Sequence, residues 1–154
     1  MSDSALRNYL GQLPFFSGLS SKQIDLVASF ASAMRYTSQQ RLFKSDTDAD
    51  KFYIIRDGKV GVEIPAVAGE PLRVQTLGIG GVLGWSWLIP PYRWLFDARA
   101  LTAADIIQID GVRLREECER DPALGYPLIK RFAVLMAERL QASRLAAIKQ
   151  HAEH

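Results

Sequence analysis

The residues best suited to chemistry lie in one short segment that runs from Gly84 to Arg99. The three tryptophans of the chain fall within ten positions of one another here, and Tyr92 and Phe96 accompany them. Aromatic rings stack on flat or apolar molecules, and a nearby guanidinium such as that of Arg93 can neutralise an anion. Pro90 and Pro91 prevent a long helix, so we expect the segment to form one wall of a pocket or of the hydrophobic core.

Residues that commonly perform catalysis or bind metals are few. The two histidines, His151 and His154, both lie in the last four positions, and Cys118 lies on a helical stretch with no histidine near it in the sequence. Metal-dependent barrels need several histidines and a carboxylate, and a catalytic thiol needs a base. No Ser-His-Asp set, phosphate-binding glycine loop or acid–base pair is evident. We therefore expect no enzyme activity, no bound metal and no cofactor.

Composition describes an ordinary globular chain that is long enough for one domain. The 154 residues are 48% hydrophobic and 23% charged, with a formal net charge of only +2, so total charge gives no reason to expect nucleic-acid binding. One cysteine rules out an internal disulfide and fits a reducing compartment. Neither a membrane span nor a signal peptide is evident. We expect a cytoplasmic protein.

Three segments are expected along this single domain of residues 1–154. Residues 4–34 favour short helices, with an apolar turn at 13–19, a helix cap at Ser20 or Ser21, and helical spacing from Ile24 to Ala31. Residues 35–110 favour short strands broken by Gly, Pro and Asp, which is typical of a sandwich or barrel. Within them, Asp57-Gly58 predicts a hairpin. Residues 111–150 favour helices, and Asp121-Pro122 marks the start of a long one.

The long C-terminal helix carries two apolar stripes. Leu128, Phe132 and Leu135 mark the first stripe; the second consists of Ile129, Ala133, Met136 and Leu140. Two stripes suggest two partners, of which the barrel can be only one. Arg131, Arg139, Arg144 and Lys149 are interpreted as a solvated basic face. The pattern predicts a homodimer through the helix from Asp121 to Ile148, and the alternative is burial of the whole helix within its own domain.

The motifs resemble the cyclic-nucleotide-binding domain of the catabolite activator protein superfamily. The residues that carry the likeness are Leu-Pro-Phe-Phe-Ser-Gly-Leu at 13–19, Ala-Asp-Lys-Phe-Tyr-Ile-Ile at 49–55, Asp-Gly-Lys-Val at 57–60, Leu-Gly-Ile-Gly-Gly-Val-Leu-Gly at 77–84 and Ala-Arg-Ala-Leu-Thr at 98–102. The resemblance implies a β-barrel or jelly roll with N-terminal helices and a long C-terminal helix. Gly58 and Gly80 fall at tight turns, and Asp46 stands where the family has a further turn glycine.

The resemblance also locates a ligand site in which two charged residues are missing. In the family, amides that follow the position of Gly84 face the cyclic phosphate, a glutamate directly after that glycine binds the ribose, and an arginine about ten residues later pairs with the phosphate. Trp85 and Trp94 stand at those two positions. Losing two charge-assisted hydrogen bonds lowers affinity by roughly two to four orders of magnitude, so tight binding of cAMP or cGMP is not expected.

Three functions remain open at this point. The first is a regulatory sensor that binds another small molecule in an aromatic-lined pocket and signals through a partner protein. Its candidate ligand-binding residues are Leu83, Gly84, Trp85, Ser86, Trp87, Arg93 and Trp94. The second is a structural or dimerisation module whose barrel the tryptophans fill. The third is a cyclic-nucleotide binder that uses Arg93 after a one-residue gap. The superfamily's transcription factors continue into a helix-turn-helix, whereas this chain stops at His154, so direct DNA binding is not expected.

Overall fold

A computed structural model describes residues 2–152 of the chain. The helices are α1 (Asp3–Gln12), α2 (Ser21–Ser29), α3 (Gly111–Arg120) and α4 (Pro122–Ala152), with a 3₁₀ turn at Pro14–Phe16. The strands are β1 (Ala31–Tyr36), β2 (Arg41–Phe43), β3 (Lys51–Asp57), β4 (Val60–Ile64), β5 (Leu72–Leu77), β6 (Val82–Leu83), β7 (Asp97–Ala100) and β8 (Ala104–Asp110). The order is helices, then strands, then helices, as the sequence predicted.

Two antiparallel four-stranded sheets face each other and form the barrel. Their strand orders are β1-β8-β3-β6 and β2-β7-β4-β5. The predicted hairpin at Asp57-Gly58 is wrong, because β3 and β4 belong to different sheets. Gly58 instead turns the chain from one sheet to the other with φ +95°, and an added Cβ would lie 2.6 Å from the Ala103 carbonyl oxygen. The architecture is the jelly-roll-like fold that the sequence predicted.

The N-terminal helices form as predicted, but the barrel begins earlier. Ser20 caps α2 in a full capping box, in which the Ser20 hydroxyl accepts from the Gln23 amide and the Gln23 side chain accepts from the Ser20 amide. Ile24 and Val27 are buried. Ala31, which the helical spacing included, lies instead in β1 opposite Ile109 of β8. Backbone pairing with β8 determines the structure there, which local sequence spacing cannot show.

The three tryptophans are divided between two hydrophobic clusters. Trp94 belongs to the cluster inside the barrel, which the two sheets enclose. Trp87 belongs to the cluster between the barrel and the helices, and Trp85 packs at the edge of that cluster. The aromatic segment therefore contributes side chains to two different hydrophobic clusters.

Helix α4 packs one of its stripes and leaves most of the other exposed. Leu128 and Phe132 are fully buried and Leu135 packs against them, whereas Ile129 and Leu140 are exposed. The buried side also includes Arg139, which is only 4% exposed although the sequence predicted that it faces solvent. None of the described helices is long and apolar enough to cross a membrane.

Candidate functional site

The candidate site begins where β6 ends. Gly84 adopts φ +101°, and a Cβ at this position would lie 2.9 Å from two carbon atoms of the Trp94 ring. Only glycine combines this left-handed conformation with so close an approach of a side chain to the backbone. Gly84 therefore allows the indole of Trp94 to lie directly against the main chain.

Trp94 occupies the interior of the barrel beside Gly84. Its ring stacks on Phe43 with a centroid distance of 3.7 Å and an interplanar angle of 11°, and it lies 6.2 Å from the ring of Tyr53. Its amide donates to the carbonyl of Thr47 at 2.9 Å, and its carbonyl accepts from the amide of Asp46 at 2.8 Å. Ring stacking and backbone pairing together hold the indole inside the barrel.

Trp87 points away from the barrel interior. Its ring lies 5.2 Å from Phe52 and 5.2 Å from Phe132 of α4, and its indole Nε1 donates to the Gly84 carbonyl at 3.1 Å. The side chain of Leu83 faces the barrel cluster instead. Trp87 thus joins the barrel to α4, as a core residue does.

Four of the seven predicted site residues line one small cavity. Gly84, Trp85, Ser86 and Trp94 surround it, and its remaining lining residues are Phe43, Leu95, Phe96 and Arg139. The volume is about 10 Å³, which is room for about one water molecule. The geometry brings part of the predicted site together but leaves little space in it.

Arg93 lies on the surface and already has acidic partners. Its side chain pairs with Asp48 at 2.9 Å and Asp46 at 3.2 Å, and Asp46 has the left-handed conformation that the sequence suggested. These aspartates are more than forty positions away in sequence, and the pairing of 93–94 with 46–48 brings them near.

Arg99 pairs with a carboxylate on the neighbouring strand β4. It pairs with Glu63 at 2.9 Å, and the same carboxylate accepts from Arg73. Asp97, two positions away in sequence, instead accepts a hydrogen bond from the Ser45 amide, and its carboxylate lies 4.0 Å from Arg41. Neighbouring strands, rather than neighbours in sequence, supply these partners.

Arg139 of α4 is the charged lining residue of this cavity that the sequence analysis missed. Its Nε donates to Oε1 of Gln75 at 2.6 Å, and its guanidinium lies 5.3 Å from the ring centroid of Trp85 and 5.8 Å from that of Phe96. Burial lowers its pKa to about 10, so it remains a cation near neutral pH. A signal was present, because position 139 continues the buried stripe of Leu128, Phe132 and Leu135.

The catalytic and metal candidates stay apart. Cys118 is buried, and burial together with three nearby carboxylates raises the pKa of its thiol to about 11. Within residues 2–152, no cluster of histidine, cysteine or carboxylate side chains could hold a metal ion. His151 lies on the last turn of α4, whereas His154 lies outside the described residues.

Comparison with known proteins agrees with this geometry. The family model of the cyclic nucleotide-binding domain matches residues 33–121. Glutaminase 1 of Bradyrhizobium diazoefficiens is 26% identical over 133 residues, which are 85% of this chain and 21% of that protein. The chain therefore spans about a fifth of the length of this curated relative.

Solved structures give the same fold. A structure described as a cyclic nucleotide-binding protein from Geobacter metallireducens is 28% identical, with 91% of this chain and 98% of that chain covered and a TM-score of 0.77. The Toxoplasma gondii protein kinase A regulatory domain with cAMP is 17% identical, with 88% and 50% covered and a TM-score of 0.73. The Thermus thermophilus catabolite activator protein is 21% identical, with 90% and 63% covered and a TM-score of 0.69.

These matches, together with the jelly roll and the long helix α4, establish a fold that regulatory ligand-binding domains use. The family model covers more than half of the chain and ends at Asp121, directly before α4 begins. The chain belongs to the cyclic nucleotide-binding domain family.

Proposed function

We propose that this chain is a regulatory domain whose barrel is filled by its own aromatic side chains and takes up no cyclic nucleotide. The observation that carries the proposal is the stack of Trp94 on Phe43, which leaves a cavity of about 10 Å³. Pockets for small organic ligands measure roughly 300 to 1,000 Å³. An aromatic-lined pocket for another organic molecule would require the same rings to leave the barrel.

The charges of the site favour the same proposal. Trp85 and Trp94 stand where the family has its glutamate and arginine, so neither charged partner is available. Arg93 cannot serve as the replacement without giving up Asp46 and Asp48. Binding through Arg93 would therefore exchange two existing ion pairs for one new one.

Helix α4 is the element through which we expect the domain to act. Within the second stripe, Ile129, Ala133 and Leu140 are exposed and Met136 is half-buried. Covering such a stripe with a second copy of the same helix removes apolar surface from both copies at once. We propose a homodimer that pairs through the helix from Asp121 to Ile148, and signalling to a partner protein would use the same assembly.

Calorimetric titration tests the filled barrel directly. Adding cAMP or cGMP at micromolar concentration is expected to give no saturable heat, because the rings occupy the volume and two charged partners are absent. The Toxoplasma gondii regulatory domain, whose structure contains cAMP, serves as the positive control in the same buffer. A dissociation constant below about 10 μM for either nucleotide would contradict the proposal.

Light scattering tests the dimer. The protein is expected to have the mass of two chains at micromolar concentration, and Leu140→Glu is expected to give a monomer, because it places a charge in the exposed stripe. Leu95→Glu is the matched control, since Leu95 is 64% exposed and Leu140 is 65% exposed, but Leu95 lies outside α4. A monomeric mass for the unchanged protein would overturn the dimer.

A further inference from the structure

Strand β1 forms an open edge of its sheet. The strand order β1-β8-β3-β6 places β1 at one end, where β8 is its neighbour. The four consecutive residues from Ser32 to Arg35 are all exposed. Because successive side chains of a strand point to opposite faces, both faces of this part of β1 are accessible. Another extended chain can therefore approach the edge without displacing a core residue.

The backbone of β1 presents hydrogen-bonding groups on this open side. The Phe30 carbonyl accepts from the amide of Asp110, the residue opposite it in the ladder, at 3.0 Å. Bonded and non-bonded pairs alternate along an antiparallel ladder. The N–H and C=O groups of Ala33 and Arg35 consequently point away from β8, whereas those of Met34 point towards it. The outward groups have no hydrogen-bond partner within residues 2–152.

Strand β1 lacks the features that usually prevent an edge from pairing. Natural edge strands are short, bulged, interrupted by proline or covered by another element. The pairing of β1 with β8 continues over six consecutive positions without a register shift, and β1 contains no proline. At the other sheet edges, β6 has two residues, β2 has three residues and β5 packs against α4. Strand β1 is thus the edge best suited to accept a further strand.

A groove of about 300 Å³ lies along the second half of β1. Its charged lining residues are Arg35 of β1, Asp105 of β8 and Arg56 of β3, which come from three adjacent strands. Nε of Arg35 lies 3.5 Å from the Asp105 carboxylate, and the Arg35 side chain is 80% exposed. Arg56 is exposed and forms no ion pair with any described residue. Two arginines and one aspartate leave one positive charge in excess, with a cation at the open edge.

We infer that the open edge of β1 pairs with an extended acidic segment of a partner protein. The outward N–H and C=O groups of Ala33 and Arg35 bond to the backbone of the added strand. An acidic side chain of that strand, on the same face as Arg35, continues the alternation of charges across the sheet. The surface belongs to β1, so the inference goes beyond the filled barrel and the α4 dimer and requires neither.

The charge of β1 argues against a second copy of this chain as the occupant. The strand reads Ala-Ser-Ala-Met-Arg-Tyr and contains no acidic residue. Pairing two copies would place two Arg35 side chains at one edge, and neither strand would supply a counter-charge. An acidic segment adds the charge that the groove lacks.

Fluorescence anisotropy with two labelled peptides tests the charge of the partner. The probe is a capped heptapeptide of alternating valine and glutamate, and its control carries lysine in place of glutamate. At low ionic strength the glutamate peptide is expected to bind about 3- to 10-fold more tightly, because opposite charges attract across strands and like charges repel. Arg35→Glu is expected to reverse this order. Lys22→Glu, which makes the same change of charge on exposed α2, is expected to keep it.

Three outcomes of this titration would overturn the inference. They are absence of binding by both peptides, equal affinity for the two, and an order of affinity that Arg35→Glu leaves unchanged. The filled barrel is decided by cyclic-nucleotide titration and the dimer by light scattering, so failure here would leave both proposals standing.

Amide hydrogen exchange identifies the strand that the peptide joins. In the free protein, the amide hydrogens of Ala33 and Arg35 are expected to exchange rapidly and that of Met34 slowly, since only the last is bonded to β8. The glutamate peptide is expected to slow exchange at Ala33 and Arg35 by about tenfold or more and to leave Met34 unchanged. A peptide with alternate amides N-methylated, which lacks the required donors, is expected to slow neither. Unchanged exchange at both positions would place the peptide elsewhere, and slow exchange in the free protein would mean that a second copy occupies the edge; either result contradicts the inference.

Discussion

Replacing Trp94 by alanine is expected to lower the free energy of unfolding by about 3 to 5 kcal/mol. The indole is 4% exposed and stacks on Phe43, and the backbone pairing of residues 46–48 with 93–94 holds the surrounding wall in place. A rigid wall cannot collapse into the void, so the lost contacts are not replaced. For a domain of ordinary stability, this loss is a large share of the total.

Urea denaturation measures the effect, and Leu95→Ala is the control. Leu95 is adjacent in sequence but 64% exposed, so its loss is expected to stay within about 0.5 kcal/mol. A change below about 1 kcal/mol for Trp94→Ala would show that the barrel is not filled by this ring.

Indole itself provides a second readout of the void. Apolar cavities of this kind stay dry and bind aromatic molecules of matching shape. Millimolar indole is therefore expected to raise the Tm of Trp94→Ala while leaving that of the unchanged protein in place. Equal shifts in both proteins would mean that indole binds elsewhere.

Much of the fold could be predicted from the sequence, but little of the side-chain geometry of the site could. Gly58 and Gly80 were predicted at turns because their neighbours alternate as strands do, and both have positive φ. The division of Trp87 and Trp94 between two cores could not be predicted, because a segment interrupted by two prolines has no regular period that indicates a face. Long-range contacts were equally hidden, since the pairing of Arg93 with Asp46 depends on how distant strands meet.

Helical periodicity alone would have placed Arg139 on the correct side of α4. Its basic neighbours on the helix suggested a solvated face, whereas its position in the stripe of Leu128, Phe132 and Leu135 indicates the barrel side. Helical periodicity determines which side a residue occupies, and residue type does not. A charged residue within an apolar stripe is thus expected on the buried side of its helix.

Gly84→Ala is expected to destabilise the domain by about 2 to 4 kcal/mol, through two separable effects. One is backbone strain, because alanine rarely adopts φ +101°. The other is overpacking, because the new Cβ would lie 2.9 Å from the Trp94 ring, which is stacked and cannot turn away. Gly80→Ala is the matched control: Gly80 has φ +82°, but a Cβ there meets nothing within 4 Å. It should therefore show the strain alone.

Combining Gly84→Ala with Trp94→Ala separates the two effects within one site. Without the indole, the added methyl group enters the void, so only the strain of Gly84→Ala remains and its cost should fall towards that of Gly80→Ala. The cost of the double variant is therefore expected to be about 1 to 2 kcal/mol smaller than the sum of the single changes. Urea denaturation of the four proteins measures this coupling. Strict additivity would mean that the Trp94 ring does not press against Gly84, and the filled barrel would lose its central contact.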